Sequence, residues 1–305
     1  MSATIEFARW IAVDWGNTHQ RAWAIGADGG VRAHVARTRD PRDIPPDAWE
    51  AALLDLIGDW LGMGRIPVLA CGMIGGRGGL CEVDYRPVPA KPADMRPSAV
   101  PSLRDGRIAL SIMPGLCQSS PADVMRGEET QLAGFLTATP AFDGVVCLPG
   151  THSKWVQISA AEVVSFQTAM TGELFSLLSQ HSSLAQYVAS DAVDPAAFDE
   201  SLADLLSDPR RLAQRLFAIR ADGLLHATAP SVARGRLSGA LIGAELAATR
   251  PYWLGQDVAI IGARPLAGLY ARALGAQGVT AHVLDDDPMT LAGLTHAQAM
   301  TLAEE

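Results

Sequence analysis

The chain has 305 residues and a net charge of −9, with 49 % hydrophobic and 19 % charged residues. That length and composition suggest two domains, each with its own core; the acidic balance excludes a general nucleic-acid binder, while a local arginine cluster can still hold an anion. Cys71, Cys81, Cys117 and Cys147 form no C-x-x-C pair, residues 1–10 lack the basic start and apolar centre of a signal peptide, and no apolar run reaches the ~20 residues of a membrane span, the richest, Leu237 to Ala248, being interrupted by Glu245, so a soluble, cytoplasmic protein with reduced thiols is expected.

Trp10–Asp14, Arg21–Ile25 and Val31–Val35 read as strands, the last after the turn signal Asp28-Gly29-Gly30. Trp49, Leu53, Leu56, Ile57 and Trp60 recur at helical spacing and predict an amphipathic helix over 47–61. Pro67–Cys71 reads as a buried strand leading into a glycine-rich loop, Gly72–Gly79. Residues 84–106 are proline-rich and read as irregular; a helix is expected from near Gly127, with Leu132, Phe135 and Leu136 on its apolar face.

From Val145 the opening pattern returns: strands over 145–148, 154–158 and 163–168, with a turn at 149–153. Helices near 172–180, 196–206, 209–225 and 232–249 follow. A strand at 258–262, a helix at 265–274, a strand at 279–284 and a helix at 288–303 complete the chain. Such alternation indicates α/β layers. Without gaps, at an offset of 133 positions, Thr18-His19-Gln20-Arg21 falls on Thr151-His152-Ser153-Lys154 and Ile25 on Ile158. The shared strand–polar loop–strand–turn–strand order points to an internal duplication, divided into an N-terminal lobe (1–138) and a C-terminal lobe (139–305).

Asp14-Trp15-Gly16-Asn17-Thr18 ends the first strand. A carboxylate there can hold Mg²⁺, Gly16 lets the backbone approach phosphate oxygens, and Asn17 and Thr18 supply donors. Arg21, on the next strand, can reach the same anion. An ordinary hairpin with a turn-favouring Asp-x-Gly-Asn is the plainer reading. In the second half, Gly150 and Thr151 form a similar turn with Lys154 beyond it, one of two lysines in the chain, the other being Lys91. Two such turns, one per lobe, suit a nucleotide's phosphate chain lying across an inter-lobe cleft. His152 reads as a structural hydrogen-bonding residue.

In Met125-Arg126-Gly127-Glu128-Glu129-Thr130-Gln131, Glu129 or Glu128 can orient an acceptor hydroxyl and take its proton, and Arg126 can hold an acceptor's carboxylate. The acidic pair can equally do no more than complement a helix macrodipole. The loop Gly72–Gly79, with Met73 and Arg77, can cover the acceptor site. Gly262 and Ala263, with Gly239, Gly243 and Ala244 on the preceding helix, can form a flat slot for an adenine ring or simply a close helix contact. Asp285-Asp286-Asp287 reads as a solvated run.

Together the D-W-G-N-T turn, M-R-G-E-E-T-Q-L, P-G-T-H-S-K-W and M-T-G-E-L at Met170–Leu174 resemble the 2-keto-3-deoxygalactonate kinase family, through almost the whole chain. The resemblance implies the two-lobed actin-like ATPase (ribonuclease H-like) fold. It also implies ATP- and Mg²⁺-dependent phosphorylation of the 6-hydroxyl of 2-keto-3-deoxygalactonate in galactonate catabolism. Its partners are then a sugar acid and ATP, with no nucleic acid or membrane; a homodimer is allowed for. Glu129 or Glu128 becomes the base by analogy with exopolyphosphatase-type relatives. Pro149 stands beside the place where many members of the wider superfamily carry an aspartate. The rival readings are a polyphosphatase-like enzyme of the same fold and a non-enzymatic, nucleotide-switched actin-like protein.

Overall fold

The computed structural model describes residues 8–101 and 103–304; residues 1–7 of the segment read for a signal peptide lie outside them. The chain divides into two compact units. The first takes the chain up to Phe142 together with Ser159–Ser165 and Asp286 onward; the second takes Asp143–Ile158 and Phe166–Asp285.

The chain up to Phe142 forms β1 (Trp10–Trp15), β2 (His19–Ile25), β3 (Val31–Thr38), α1 (Trp49–Ile57), β4 (Ile66–Gly72), β5 (Tyr85–Pro87), β6 (Ser98–Ala99), β7 (Ile108–Ile112), β8 (Gly115–Ser119), β9 (Ala122–Met125) and α2 (Glu128–Ala138). Then come β10 (Gly144–Leu148), β11 (Ser153–Ser159), β12 (Glu162–Ala169), α3 (Thr171–His181), α4 (Pro195–Ser207), α5 (Leu212–His226), α6 (Pro230–Ala248), α7 (Arg250–Trp253), β13 (Val258–Ile261), α8 (Arg264–Gly275), β14 (Ala281–Leu284) and α9 (Asp286–Glu304).

The main sheets run β3-β2-β1-β4-β7-β6 and β12-β11-β10-β13-β14. In the first, β1 is antiparallel to β2 and parallel to β4, which is parallel to β7. In the second, β10 is antiparallel to β11 and parallel to β13, which is parallel to β14. The repeated order is the structural form of the duplication. Both central strands, β1 and β10, are buried along their whole length, as a strand covered on both faces requires, and this is why they read as continuous apolar runs. The edge strand β3 is mostly exposed and carries Arg32 and Arg37, a charge pattern that blunts an edge.

The two hairpins are not identical. Trp15 pairs with Gln20 across residues 16–19, whereas Leu148 pairs with Lys154 across residues 149–153. The second turn is therefore one residue longer. With Arg21 on Lys154 at the offset of 133, Gly16 meets Gly150 only after a one-residue insertion.

In the first core, Trp49, Leu53, Leu56 and Ile57 of α1 pack with Ile11, Val13 and Trp15 of β1. In the second, Phe198 and Leu202 of α4, Ile242 and Leu246 of α6 and Tyr270 of α8 pack with Val145, Cys147, Val258 and Ile260. The small residues of α6 serve this packing. A Cβ on Gly239 or Gly243 would run into the carbonyl of Phe198 or Leu202 on α4. The expected adenine slot at Gly239 and Gly243 is corrected accordingly: α4 occupies that face, and a close helix crossing leaves it no room for a ring.

The last helix also differs from expectation. A division at 138/139 assigned α9 to the second lobe, yet α9 packs on α2: a Cβ on Gly134 would strike the main chain at Met289, and one on Gly293 would strike the carbonyl of Thr130. Among the described residues the four cysteines are free thiols, and no helix is long and apolar enough to cross a membrane.

Candidate active site

In the first unit, Asp14 is 5 % exposed near the end of β1. Its cross-strand partner is Arg21, whose Nε and Nη2 donate to Asp14 Oδ2 at 3.0 and 2.5 Å. Arg21 Nη1 donates to Asp286 Oδ2 at 2.5 Å and also pairs with Asp287, both in the first turn of α9. The Asp285–Asp287 run, read as solvated, is thus anchored at two positions by a half-buried guanidinium. Burial pushes the Asp14 carboxyl above its ordinary range, against the pull of the Arg21 charge and hydrogen bonds. The surrounding carboxylates raise Arg21 further, outweighing its own desolvation.

Beyond Asp14 the turn Gly16-Asn17-Thr18 lies at the surface, closed by the Gly16 N–H donating to the His19 carbonyl at 2.9 Å. Behind it, the buried Cys71 thiol donates to Asp14 Oδ1 at 3.5 Å, with the Thr130 hydroxyl beside its sulfur. The Thr130 hydroxyl in turn donates to Glu129 Oε1 at 3.2 Å. A continuous polar line therefore links Asp14, Cys71, Thr130 and Glu129 inside one unit.

Glu129 is 1 % exposed in the first turn of α2, and its Oε2 accepts the Gly127 N–H at 2.7 Å. Gly127 has φ +111°, a conformation that favours glycine, and it passes over Gly72 at the end of β4. Burial, reinforced by the neighbouring Glu128, raises the Glu129 carboxyl to about 8. Glu128 is less buried and accepts the Arg126 N–H at 3.0 Å.

A three-stranded sheet, β5-β8-β9, delivers Arg126 to this place. The segment containing β7, β8 and β9 drew no sequence expectation. Arg126 follows β9 directly; its guanidinium lies 4.2 Å over the Tyr85 ring of β5, and Nη2 donates to the Val83 carbonyl at 2.6 Å. Its Nε and Nη1 are buried without a hydrogen-bond partner. Gly75 and Gly76 run beside this side chain, so the Gly72–Gly79 loop does border Arg126; Met73 is half-buried there and Arg77 is exposed.

In the second unit, the turn 149–153 is braced by the start of α3. Gly172 sits so close to the Gly150 carbonyl that a Cβ would collide with it, and the Glu173 N–H donates to the Thr151 carbonyl at 2.9 Å. The Glu173 carboxylate meets His152 Nε2 at 2.7 Å, in keeping with a structural histidine. This is what M-T-G-E-L does locally. Gly150 itself has open space where a Cβ would stand, Lys154 is 4 % exposed in β11, and Gly262 lies against Pro149 with the exposed Ala263 beside it. Sequence reasoning missed Glu245, noting it only as a break in the apolar run of α6. It is buried beneath this turn and bonded to Trp155 and Tyr270.

No group of three or more His, Cys, Asp or Glu side chains among the described residues is arranged to hold a metal. One carboxylate, Asp14, fits Mg²⁺ only in the manner of nucleotide enzymes, where waters and phosphate oxygens fill most of the shell.

A profile of the 2-keto-3-deoxy-galactonokinase family matches residues 14–297. A probable 2-dehydro-3-deoxygalactonokinase of Rhizobium meliloti (strain 1021) is 38 % identical over 295 residues, 94 % of this chain and 95 % of the relative. The 2-dehydro-3-deoxygalactonokinase of Escherichia coli (strain K12) is 33 % identical over 290 residues, 94 % of this chain and 96 % of the relative. A crystal structure from Sinorhizobium meliloti, assigned to the same kinase, superposes with a TM-score of 0.88 at 36 % identity, covering 95 % and 96 % of the two chains. More remote solved structures, 9 and 11 % identical with TM-scores of 0.53 and 0.52, share the fold alone, the two-lobed α/β plan of the actin-like ATPases.

Proposed function

The chain belongs to the 2-keto-3-deoxy-galactonokinase family, and from that premise we propose that it transfers the γ-phosphoryl group of ATP to the 6-hydroxyl of 2-keto-3-deoxygalactonate. The observation that carries the substrate class is Arg126: a half-buried side chain whose Nε and Nη1 are buried and unpartnered, three positions from a buried carboxyl, suits a ligand with both a carboxylate and a reacting hydroxyl.

In this reading Arg126 holds the sugar-acid carboxylate, with Met73 and Arg77 of the adjoining loop as secondary contacts. Glu129 orients the terminal hydroxyl and accepts its proton; a carboxyl raised to about 8 is matched to base catalysis slightly above neutrality. Glu128 is the weaker candidate, since it caps the Arg126 N–H. Gly16, Asn17 and Thr18 are assigned to phosphate oxygens, as are Gly150, Thr151 and Lys154 of the second unit. Gly262 and Ala263 are assigned to the nucleotide; Gly243 is not. Mg²⁺, when bound near Asp14, would neutralise phosphate charge. Arg21 keeps the Asp14 carboxylate fixed and adds positive charge beside it. An ATP-dependent sugar-acid kinase with free thiols suits the cytoplasm.

The test is ADP release with Mg·ATP and, separately, 2-keto-3-deoxygalactonate, its gluconate epimer, neutral sugars, polyphosphate and no acceptor. Turnover that depends on the galactonate form is expected. Equal ADP release in every arm would overturn the substrate assignment.

A further inference from the structure

We propose that Glu245 is a positioning residue for the second phosphate turn, holding the two chain segments that bracket Gly150 and Thr151. This rests on the reading of that turn as a contact for ATP phosphates.

Glu245 is 5 % exposed on α6. Its Oε1 accepts the Trp155 indole N–H at 2.8 Å and its Oε2 the Tyr270 hydroxyl at 2.7 Å. The hydroxyls of Thr171 and Ser153 are hydrogen-bonded to the same carboxylate, and Ser153 Oγ is also 2.8 Å from the Tyr270 oxygen. A carboxylate has about four lone-pair sites, and four side chains converge on this one.

The donors come from particular places. Ser153 ends the turn and opens β11, with Trp155 two residues on. Thr171 opens α3; the next residue, Gly172, packs on the Gly150 carbonyl, and the Glu173 N–H donates to the Thr151 carbonyl. One carboxylate therefore fixes the exit of the turn and the helix end that braces it. For packing alone, a hydrophobic side chain of similar volume would serve α6 at lower desolvation cost. It would leave the Trp155 indole N–H and the Thr171 hydroxyl without this acceptor, and Ser153 and Tyr270 with only each other.

The experiment is steady-state kinetics and thermal unfolding of Glu245→Gln, with Thr171→Val and Thr151→Ala in parallel. Glu245→Gln keeps the volume but places N–H groups where an acceptor stood. The expected result is a KM for ATP raised about tenfold with the KM for the sugar acid within about twofold. Thr171→Val, which removes one tether, is expected to raise the KM for ATP about threefold, and it carries the test if Glu245→Gln does not fold. A folded Glu245→Gln or Thr171→Val enzyme with an unchanged KM for ATP overturns the positioning role. So does a parallel change in both KM values that tracks lost folded protein. Thr151→Ala separates the two claims. If it raises the KM for ATP while the other variants do not, only the positioning role falls; if it leaves that KM unchanged, the assignment of the turn falls and the positioning role with it.

Discussion

Asp14 and Arg21 face each other across the β1–β2 ladder, and Arg21 places Nε and Nη2 together on Asp14 Oδ2 while its remaining nitrogen reaches the first turn of α9. The guanidinium thus connects the metal candidate to the last helix of the chain. Asp14→Asn keeps the shape and one hydrogen-bond acceptor but loses the charge. Turnover is expected to fall by about 10²–10³-fold or more, with circular dichroism unchanged. Near-normal turnover would remove Asp14 from catalysis.

Arg21→Met is expected to cost more in stability than in binding. It leaves Asp14 and Asp286 partly buried without their cation, a loss of about 3–5 kcal/mol for a broken buried pair. Urea unfolding of the purified variant measures it. A loss below about 1 kcal/mol would mean that the pair behaves as an exposed one.

Glu129 gives a pH signature in two independent readouts. Its folded value of about 8 lies above the ordinary 4.5, so the folded state binds more protons between those values, and its contribution to stability is fully present below 4.5 and lost as pH rises through 8. Glu129→Gln should therefore gain stability relative to wild type as pH is raised from 5 to 9. Turnover runs the other way: the wild type should rise along a limb near pH 8 as Glu129 ionises, and Glu129→Gln should be slow and lack that limb. Thermal melts and kcat against pH check the two. A variant that retains the limb would pass the role of base to Glu128.

Arg126→Lys should raise the KM for the sugar acid about ten- to a hundredfold and leave the KM for ATP unchanged. An ammonium reproduces neither the fork of donors nor the stacking on Tyr85. A change confined to the KM for ATP would move the acceptor's carboxylate elsewhere.

Gly293→Ala tests the seating of α9. The added methyl would strike the Thr130 carbonyl on α2, and overpacking of this kind costs about 1–3 kcal/mol. A lowered melting temperature is expected. An unchanged one would mean that the two helices separate freely.

Much of this was legible in the chain. β1 and β10 are continuous apolar runs because both are central strands, and each ends in a polar glycine-containing turn, so the duplicated order could be read before any register was known. The spacing from Trp49 to Trp60 gave α1 in the same way. The rest depends on contacts distant in sequence. Gly134 and Gly293 are far apart in the chain, and only their interlocking assigns α9 to the first unit. Gly243 has the same composition signature whether it faces a ring or a helix; the Leu202 carbonyl decides it. Asp286 and Asp287 read as solvated because nothing local reveals Arg21, and Glu245 read as an interruption because its four partners come from β11, α3 and α8.

The most direct measurement is phosphorus NMR of the product formed from 2-keto-3-deoxygalactonate and Mg·ATP, with ADP counted in the same tube. The expected result is one new phosphomonoester on the C6 oxygen, equal in amount to ADP. ADP matched by inorganic phosphate, or a phosphomonoester at another carbon, would contradict the assignment.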